Sequence, residues 1–478
     1  MPDRFNLASY FVDRHVTGGR GSRTAIVCEG RRTTYAEIAA LVNQAGNALL
    51  RAGVGPGDRV MIAMPDCPGF VAAYFGAMKI GAVAVPTSTA LRPADYACLA
   101  AESEAKLVVT GEGIPGLESC SSELDCAPTS ADDPAFWLWT SGSTGSPKAA
   151  VHRHQDWPVC CEAYARGVLD IRPGDVTFSS AKLFHAYGLG NGLMFPFYAG
   201  ATTVLCPSKP LAKTILEYAH QHRPTLFFSV PTHFAAMLQE TAAANSYDLS
   251  SVRLGVSAAE PLPAEIVRRW RARFGFDILD GIGSTEVLHI YISNRPGCVR
   301  PGSSGVPVEG YDVRIADEGG RDVPAGEIGD LWVRGRSNAT HYWNRPQLTA
   351  DRMRDGWFFT GDKYRSDAAG YFWYAGRSGD MFRVSGEWVS PIEVESALVE
   401  HPAVLETAVV AHPDENGLLK PCAFVTLKQP DRACEALAGE LRQFVRQRLP
   451  GYKSPRRIVF LDELPKTATG KVQRYKLR

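Results

Sequence analysis

Apolar residues recur at helical spacing over 33–51, behind the cap-forming pair Thr33 and Thr34, and a turn at 53–58 leads into a short apolar strand at 59–64. The alternation continues with a helix at 70–79, a strand at 83–86, a helix at 96–103 and a strand at 107–110. A second run sets helices at 212–222, 233–239 and 263–274 among strands at 226–230, 254–257 and 277–279. Helices alternating with short apolar strands predict mostly parallel sheets covered on both faces. Between 310 and 334 the period falls to two, with Gly and Pro turns, which predicts antiparallel hairpins. Beyond 377 the texture is mixed: helix 391–400, strands 406–411 and 421–427, helix 433–448. The expected fold class is therefore α/β. A large N-terminal domain over 1–377 has layered, mostly parallel sheets with helices and a small β-rich subdomain, and a small α+β C-terminal domain follows over 378–478.

A chain of 478 residues buries large cores without disulfides or metals. Its longest apolar stretch, 70–85, is interrupted by Lys79, Gly76 and Gly81 and is too short to span a bilayer, so it reads as a buried helix running into a core strand. The first residues lack the apolar region of a signal peptide, which points to a cytoplasmic protein without membrane contact. Lys plus Arg and Asp plus Glu each total 51, and no basic block gives an electrostatic footprint for nucleic acid. The eleven cysteines are scattered without a C-x-x-C pair, so neither a disulfide framework nor a zinc ribbon is expected. The pairs His152/His154 and His220/His222 have no further ligands at usable spacing and read as solvated or core histidines.

Four segments carry chemistry. A strand-like run ends at Thr140 and breaks into Ser141, Gly142, Ser143, Thr144 and Gly145, followed by Pro147 and Lys148. Such a turn aims backbone N–H groups, hydroxyls and one ammonium at phosphate oxygens. Its G-x-x-G-x-P-K spacing, with no Ser or Thr after the lysine, is not that of a Walker loop; the plainer reading is a flexible surface loop. Asp280, Gly281, Ile282, Gly283, Thr285 and Glu286 follow an apolar strand, where α/β proteins bind ligands, although an ordinary strand-to-helix turn has the same look. Asp362 offers a carboxylate suited to paired ribose hydroxyls, and Arg377 a guanidinium suited to phosphate. Lys471 sits after a turn near the end of the sequence, in PKTATGK.

Taken in order, these segments resemble the motifs of the adenylate-forming superfamily of acyl-CoA synthetases, peptide-synthetase adenylation domains and luciferases, along essentially the whole chain. The resemblance implies ATP-dependent conversion of a carboxylate to an acyl adenylate with release of pyrophosphate, then attack by a thiol with release of AMP, using ATP, Mg2+ and coenzyme A. It implies that Lys471 bridges carboxylate and α-phosphate, Thr285 contacts the α-phosphate, Glu286 holds magnesium, Asp362 takes the ribose and Lys148 steadies the outer phosphates. Ser257, Ala258 and Ala259 fall at a second strand end on the nucleotide side. The small domain is expected to be mobile, rotating between half-reactions about Gly379 and Asp380, because the family's hinge position, two residues after Arg377, is here a glycine. Gly386 is expected to line the thiol entry.

The segment His185, Ala186, Tyr187, Gly188 resembles the acyl pocket of benzoate and hydroxybenzoate CoA ligases, as does 279–297 with Gly283, His289 and Ile290. Physically, Tyr187 offers a flat wall, while Ala186, Gly188, Ala258 and Ala259 leave room for a planar ring. His185 stands where benzoate ligases tend to have an aromatic hydrocarbon; it is a candidate catalytic residue that gates the pocket or contacts the carboxylate, and with His289 a candidate acceptor for a ring hydroxyl or amine. An acyl carrier protein as thiol donor, an ATPase or kinase releasing ADP, and a nonenzymatic nucleotide-binding module are the rival readings. A serine hydrolase is disfavoured because the chain has no G-x-S-x-G.

Overall fold

The computed structural model describes residues 4–111, 113–141, 147–240, 247–384, 387–415, 418–466 and 472–478. Its first layer is the helix Tyr35–Arg51, opened by a capping box in which Thr34 Oγ1 accepts from the Glu37 N–H (3.2 Å) and Glu37 accepts from the Thr34 N–H (2.7 Å). Ile38, Val42, Ala45 and Leu49 face inward and pack on the helix Pro68–Lys79, whose residues from Phe70 onward are all buried. The two helices cross backbone to backbone: a Cβ at Gly76 would lie 2.9 Å from the Gly46 nitrogen. Lys79, the one charge in that apolar run, is buried with its ammonium 2.9 Å from Asp13 and 2.6 Å from Asn43.

Two large sheets form the N-terminal domain. Among the described residues one has nine strands, with a parallel centre formed by Ile278–Gly283, Leu254–Ser257, Leu226–Ser229, Val176–Ser179, Thr202–Leu205 and Thr24–Cys28, and antiparallel strands at both edges. The other has six, with Pro134–Ser141, Val83–Pro86, Arg59–Ala63 and Ala105–Thr110 parallel and Pro147–Arg153 and His341–Tyr342 added antiparallel. The antiparallel β-rich subdomain expected at 310–334 includes Tyr311–Ala316 and Gly329–Gly335 and continues through Trp357–Ser366 and Phe372–Arg377. After Arg377 come the hairpin Phe382–Val384/Glu387–Val389, the helices Pro391–Val399 and Glu435–Arg446, and a sheet of Val404–Pro413, Leu419–Leu427 and Arg457–Phe460 around its own apolar core.

One expectation is corrected. The strand expected at 277–279 runs from Ile278 to Gly283, so Asp280, Gly281, Ile282 and Gly283 belong to the sheet instead of to a strand-to-helix turn. The strand continues because it pairs with Ile290–Ser293, and Gly283 permits the closest approach: a Cβ there would lie 2.5 Å from the His289 carbonyl. On either side of the hydroxyl-rich segment, Thr140 pairs with Lys148 and Ser141 with Pro147 in antiparallel strands. Pro147 is the first residue of the second strand, a position where a sheet tolerates proline.

Candidate active site

Lys148, opposite Thr140, reaches the turn that follows the strand Ile278–Gly283 of the nine-stranded sheet. The Lys148 ammonium lies 3.2 Å from Glu286 Oε1 and donates to the Tyr342 hydroxyl (2.8 Å), which donates to the same Glu286 oxygen (2.6 Å). Tyr342 comes from the two-residue strand paired with Ala150 and Val151, so one sheet supplies both cation and phenol, while Glu286 arrives from the other. Burial, then the Glu286 carboxylate, push the Tyr342 phenol far above its ordinary range, so it stays protonated and able to donate.

Glu286 lies in the short turn Thr285–Val287, capped by Ser284, whose hydroxyl accepts from the Val287 N–H (3.2 Å). Leu288 closes the turn at φ +83°, a conformation that a side-chain-bearing residue adopts only when its surroundings enforce it. Three successive carbonyls are held from outside the turn. His152 Nε2 donates to Thr285 (2.8 Å), the Ala339 N–H to Glu286 (2.7 Å) and the Ser337 hydroxyl to Val287 (2.8 Å).

Asp362 and Arg377 face one another across adjacent strands of the β-rich subdomain, with Arg377 Nε 3.0 Å from the carboxylate. The buried phenol of Tyr291, raised first by burial and then by the Asp362 charge, also feels Arg377 and Glu286. The third sheet therefore meets the hairpin and the turn around Tyr291, whose hydroxyl has no hydrogen-bond partner among the described residues. Nothing in the sequence singled out Tyr291 or Tyr342: the first continues an apolar strand, and the second lies in a two-residue pairing.

On the other side, Ser257 and Asp280 are register partners at the ends of parallel strands. Burial raises the Asp280 carboxyl well above the carboxylate range. Ala258 is buried, and Ala259 turns the chain at φ +76°. Tyr187 is pinned through its hydroxyl to the carbonyls of Ser229 (3.1 Å) and Val256 (3.0 Å), and its ring stacks on His289 with centroids 5.5 Å apart. His289 is packed between Tyr187, Tyr164 and Phe195, its Nε2 is 3.4 Å from the Tyr187 carbonyl, and its Nδ1 is buried with no partner among the described residues. Burial lowers its pKa to about 3. Ile290 is buried beside it, and Ala186 starts the short helix that carries Tyr187.

Two of the pocket expectations change. Gly188 leaves no room for a ring, because a Cβ there would lie 2.1 Å from the Lys182 carbonyl; the space is filled by backbone. His185 is exposed beside Phe184, whereas His289 is buried, so the two histidines differ in setting. Lys182 and Asp66, a 3.5 Å pair, fix the start of this segment, and Asp66 also accepts from the Leu183 N–H (3.1 Å).

Near the domain junction, Asp380 is clasped by Arg478, whose guanidinium also donates to the Gly379 carbonyl (3.2 Å), with Arg474 3.9 Å away. Lys471, Gly386, Gly142, Ser143, Thr144 and Gly145 lie outside the described residues, as does the Ser141 side chain. The flanks of Lys471 are fixed by a bridge between Lys466 and Val472 and by the Gln473 N–H donating to the Pro465 carbonyl (2.7 Å). The C-terminal domain also holds a cavity of about 400 Å³ lined by Lys420, Arg442, Arg446, Tyr452, Ser454 and Arg456. Among the described residues no group of metal-ligating side chains is preassembled, no cysteine is paired, and no helix is long and apolar enough to cross a membrane.

The model of the AMP-binding enzyme family matches residues 12–343, and that of the AMP-binding enzyme C-terminal domain matches residues 393–471. The benzoate–CoA ligase of Thauera aromatica is 45% identical over 100% of this chain and 96% of its own length. The 4-hydroxybenzoate–CoA/benzoate–CoA ligase of Rhodopseudomonas palustris is 40% identical over 100% and 95%. Among solved structures, the anthranilate CoA ligase AuaEII in complex with anthranoyl-AMP superposes with a TM-score of 0.95 at 39% identity, covering 100% of this chain and 97% of that one.

Proposed function

The chain belongs to the AMP-binding enzyme family, and from that premise we propose that it is an aryl-CoA ligase acting on benzoate or a substituted benzoate. A carboxylate oxygen attacks the α-phosphorus of ATP, pyrophosphate leaves, and the acyl adenylate is then attacked by the coenzyme A thiol with release of AMP. Negative charge gathers on phosphoryl oxygens during the displacement, so catalysis is a matter of positioning and preorganised positive potential. The observation that carries the reading is the pairing of Lys148 with Glu286 and of Asp362 with Arg377, with Glu286, Asp362 and Arg377 all acting on the buried Tyr291 phenol.

In this reading Lys148 and Thr140 steady the outer phosphates, Thr285 meets the α-phosphate, Asp362 takes the ribose and Lys471 bridges the reacting groups. Ser257, Ala258, Ala259 and the strand Ile278–Gly283 border the nucleotide. The buried carboxylate of Glu286, beside a phosphate site, fits Mg2+, which takes one or two carboxylates together with phosphate oxygens and supplies charge neutralisation when bound. The boundary between the large and small domains is placed at residues 377/378, with the small domain rotating about Gly379 and Asp380 and Gly386 at the thiol entry.

Free coenzyme A is favoured over a carrier protein by the basic cavity of the C-terminal domain, which suits the 3′-phosphate and diphosphate that a carrier-bound arm lacks. The orphaned His289 Nδ1 favours acids with a ring hydroxyl or amine able to donate to it. A pyrophosphate-release screen over benzoate, the three hydroxybenzoates, aminobenzoates and short aliphatic acids tests the reading, with coenzyme A, carrier protein or neither present. Release with aryl acids and thioester with coenzyme A are expected. Release with aliphatic acids alone overturns the aryl assignment, ADP as product overturns adenylation, and equal use of all benzoates removes the role given to His289.

A further inference from the structure

We propose that His152 is a positioning residue for the adenylation step: with Asp156 behind it, it fixes the Thr285 carbonyl and so aims the Thr285–Glu286 turn at the phosphates. The proposal rests on the adenylation reading above. His152 and Lys148 lie four residues apart in the strand Pro147–Arg153, so strand periodicity puts both side chains on one face. Lys148 reaches the Glu286 side chain, and His152 reaches the backbone of the residue before it.

The imidazole is completely buried and stacks on Phe136 with centroids 5.2 Å apart and planes 9° from parallel. Its Nδ1 faces Asp156 Oδ2 at 3.1 Å, and its Nε2 donates to the Thr285 carbonyl at 2.8 Å. Asp156 is itself buried and held by the Arg153 N–H (3.0 Å) and Arg153 Nε (3.2 Å). A carboxylate held in this way fixes the orientation of the imidazole ring against the carbonyl.

The Thr285 carbonyl is one of three successive anchors, and the others, to Ala339 and Ser337, come from a single loop. His152 is the anchor that ties the turn to the strand carrying Lys148. Losing it leaves Lys148 and Thr285 in place as side chains but uncouples their relative position, and small misplacement of groups around a transferring phosphoryl costs rate more than affinity.

The test compares His152→Phe, His152→Gln and Asp156→Asn with the parent enzyme. It measures benzoate-dependent ATP–pyrophosphate exchange, ATP affinity, thioester formation from preformed benzoyl-AMP, and the folded fraction. Expected is a fall in the exchange rate of about 10- to 100-fold in His152→Phe, with ATP affinity and thioester formation within about three-fold. His152→Gln, which retains a donor for the carbonyl, is expected to recover part of the loss, with Asp156→Asn in between. Equal loss in both half-reactions in step with the folded fraction overturns the proposal, as does an unchanged exchange rate in folded His152→Phe. Should His152→Phe not fold, the split between half-reactions in the other two variants decides. A parent enzyme without acid-dependent exchange would sink the adenylation reading instead, a failure visible before any variant is measured.

Discussion

Lys148 and Glu286 are ion-paired at 3.2 Å, and the Tyr342 hydroxyl is hydrogen-bonded to both. In this arrangement the cation assigned to the outer phosphates and the carboxylate assigned to magnesium are each other's partners, so MgATP binding exchanges one pairing for two. Tyr342→Phe keeps the ring under the ammonium, 4.1 Å from its centroid, and removes the bridge. The expected outcome is a rise in KM for ATP of roughly five-fold, the equivalent of about 1 kcal/mol for one hydrogen bond, with kcat little changed. Exchange kinetics over a range of ATP concentrations measure this, and an unaltered KM counts against the exchange.

Asp362 is held by Arg377 at 3.0 Å in a register pair between adjacent strands, which fixes the carboxylate proposed to take the ribose. Asp362→Ala is expected to weaken ATP and AMP by about 10- to 100-fold, as losing two charge-assisted hydrogen bonds does. Calorimetric titration with AMP reads this directly. Retained affinity would reassign the nucleotide's orientation.

Asp380 is bound by Arg478 and lies 3.9 Å from Arg474, whose second contact is Glu395 at 2.8 Å. If the small domain turns at this junction, Arg478→Ala loosens one side of it. Thioester formation is expected to slow about two- to five-fold, the scale of a partly exposed ion pair, while pyrophosphate exchange stays within two-fold. Single-turnover measurement of each half-reaction separates these outcomes, and equal effects on both would remove Asp380 from the hinge.

Burial holds His15 and His154 at about 4 and His289 at about 3, against an ordinary value of 6.5. Between pH 6.5 and 4 the unfolded chain takes up protons at these positions and the folded one does not, so their stabilisation is full above pH 6.5 and is lost on acidification. His154 and His289 each account for about 2 kcal/mol at pH 5. Asp66 acts in the opposite sense: burial pushes it up to about 6 from 3.8, so it returns about 1 kcal/mol over the same change. Denaturation midpoints at pH 7.5, 6 and 5 are expected to fall, and a rise towards pH 5 would contradict the sign.

The elements that local physics determines were readable from the chain. The spacing of Ile38, Val42 and Leu49 behind Thr34 and Glu37 makes a capped amphipathic helix in any context, and the β-branched Val83–Pro86 run makes a buried strand. The strand Ile278–Gly283 outran its sequence signal because its second half is held by pairing with Ile290–Ser293 across the Thr285–Val287 turn, a partner that glycine-rich composition conceals. His152 carried the same signal as His154, a histidine with no further metal ligands at usable spacing. What separates them is the partner, Thr285 for one and the Leu7 N–H for the other (3.0 Å), and neither follows from spacing.

Gly190 lies against the His289 ring so tightly that a methyl group there would sit 2.5 Å from Cδ2. Enlarging this residue would displace the imidazole from its place beside Tyr187. The preference among ring-substituted acids can therefore be retuned by a substitution that no acid ever touches, and libraries built to broaden the enzyme's range have a reason to include the wall's outer side.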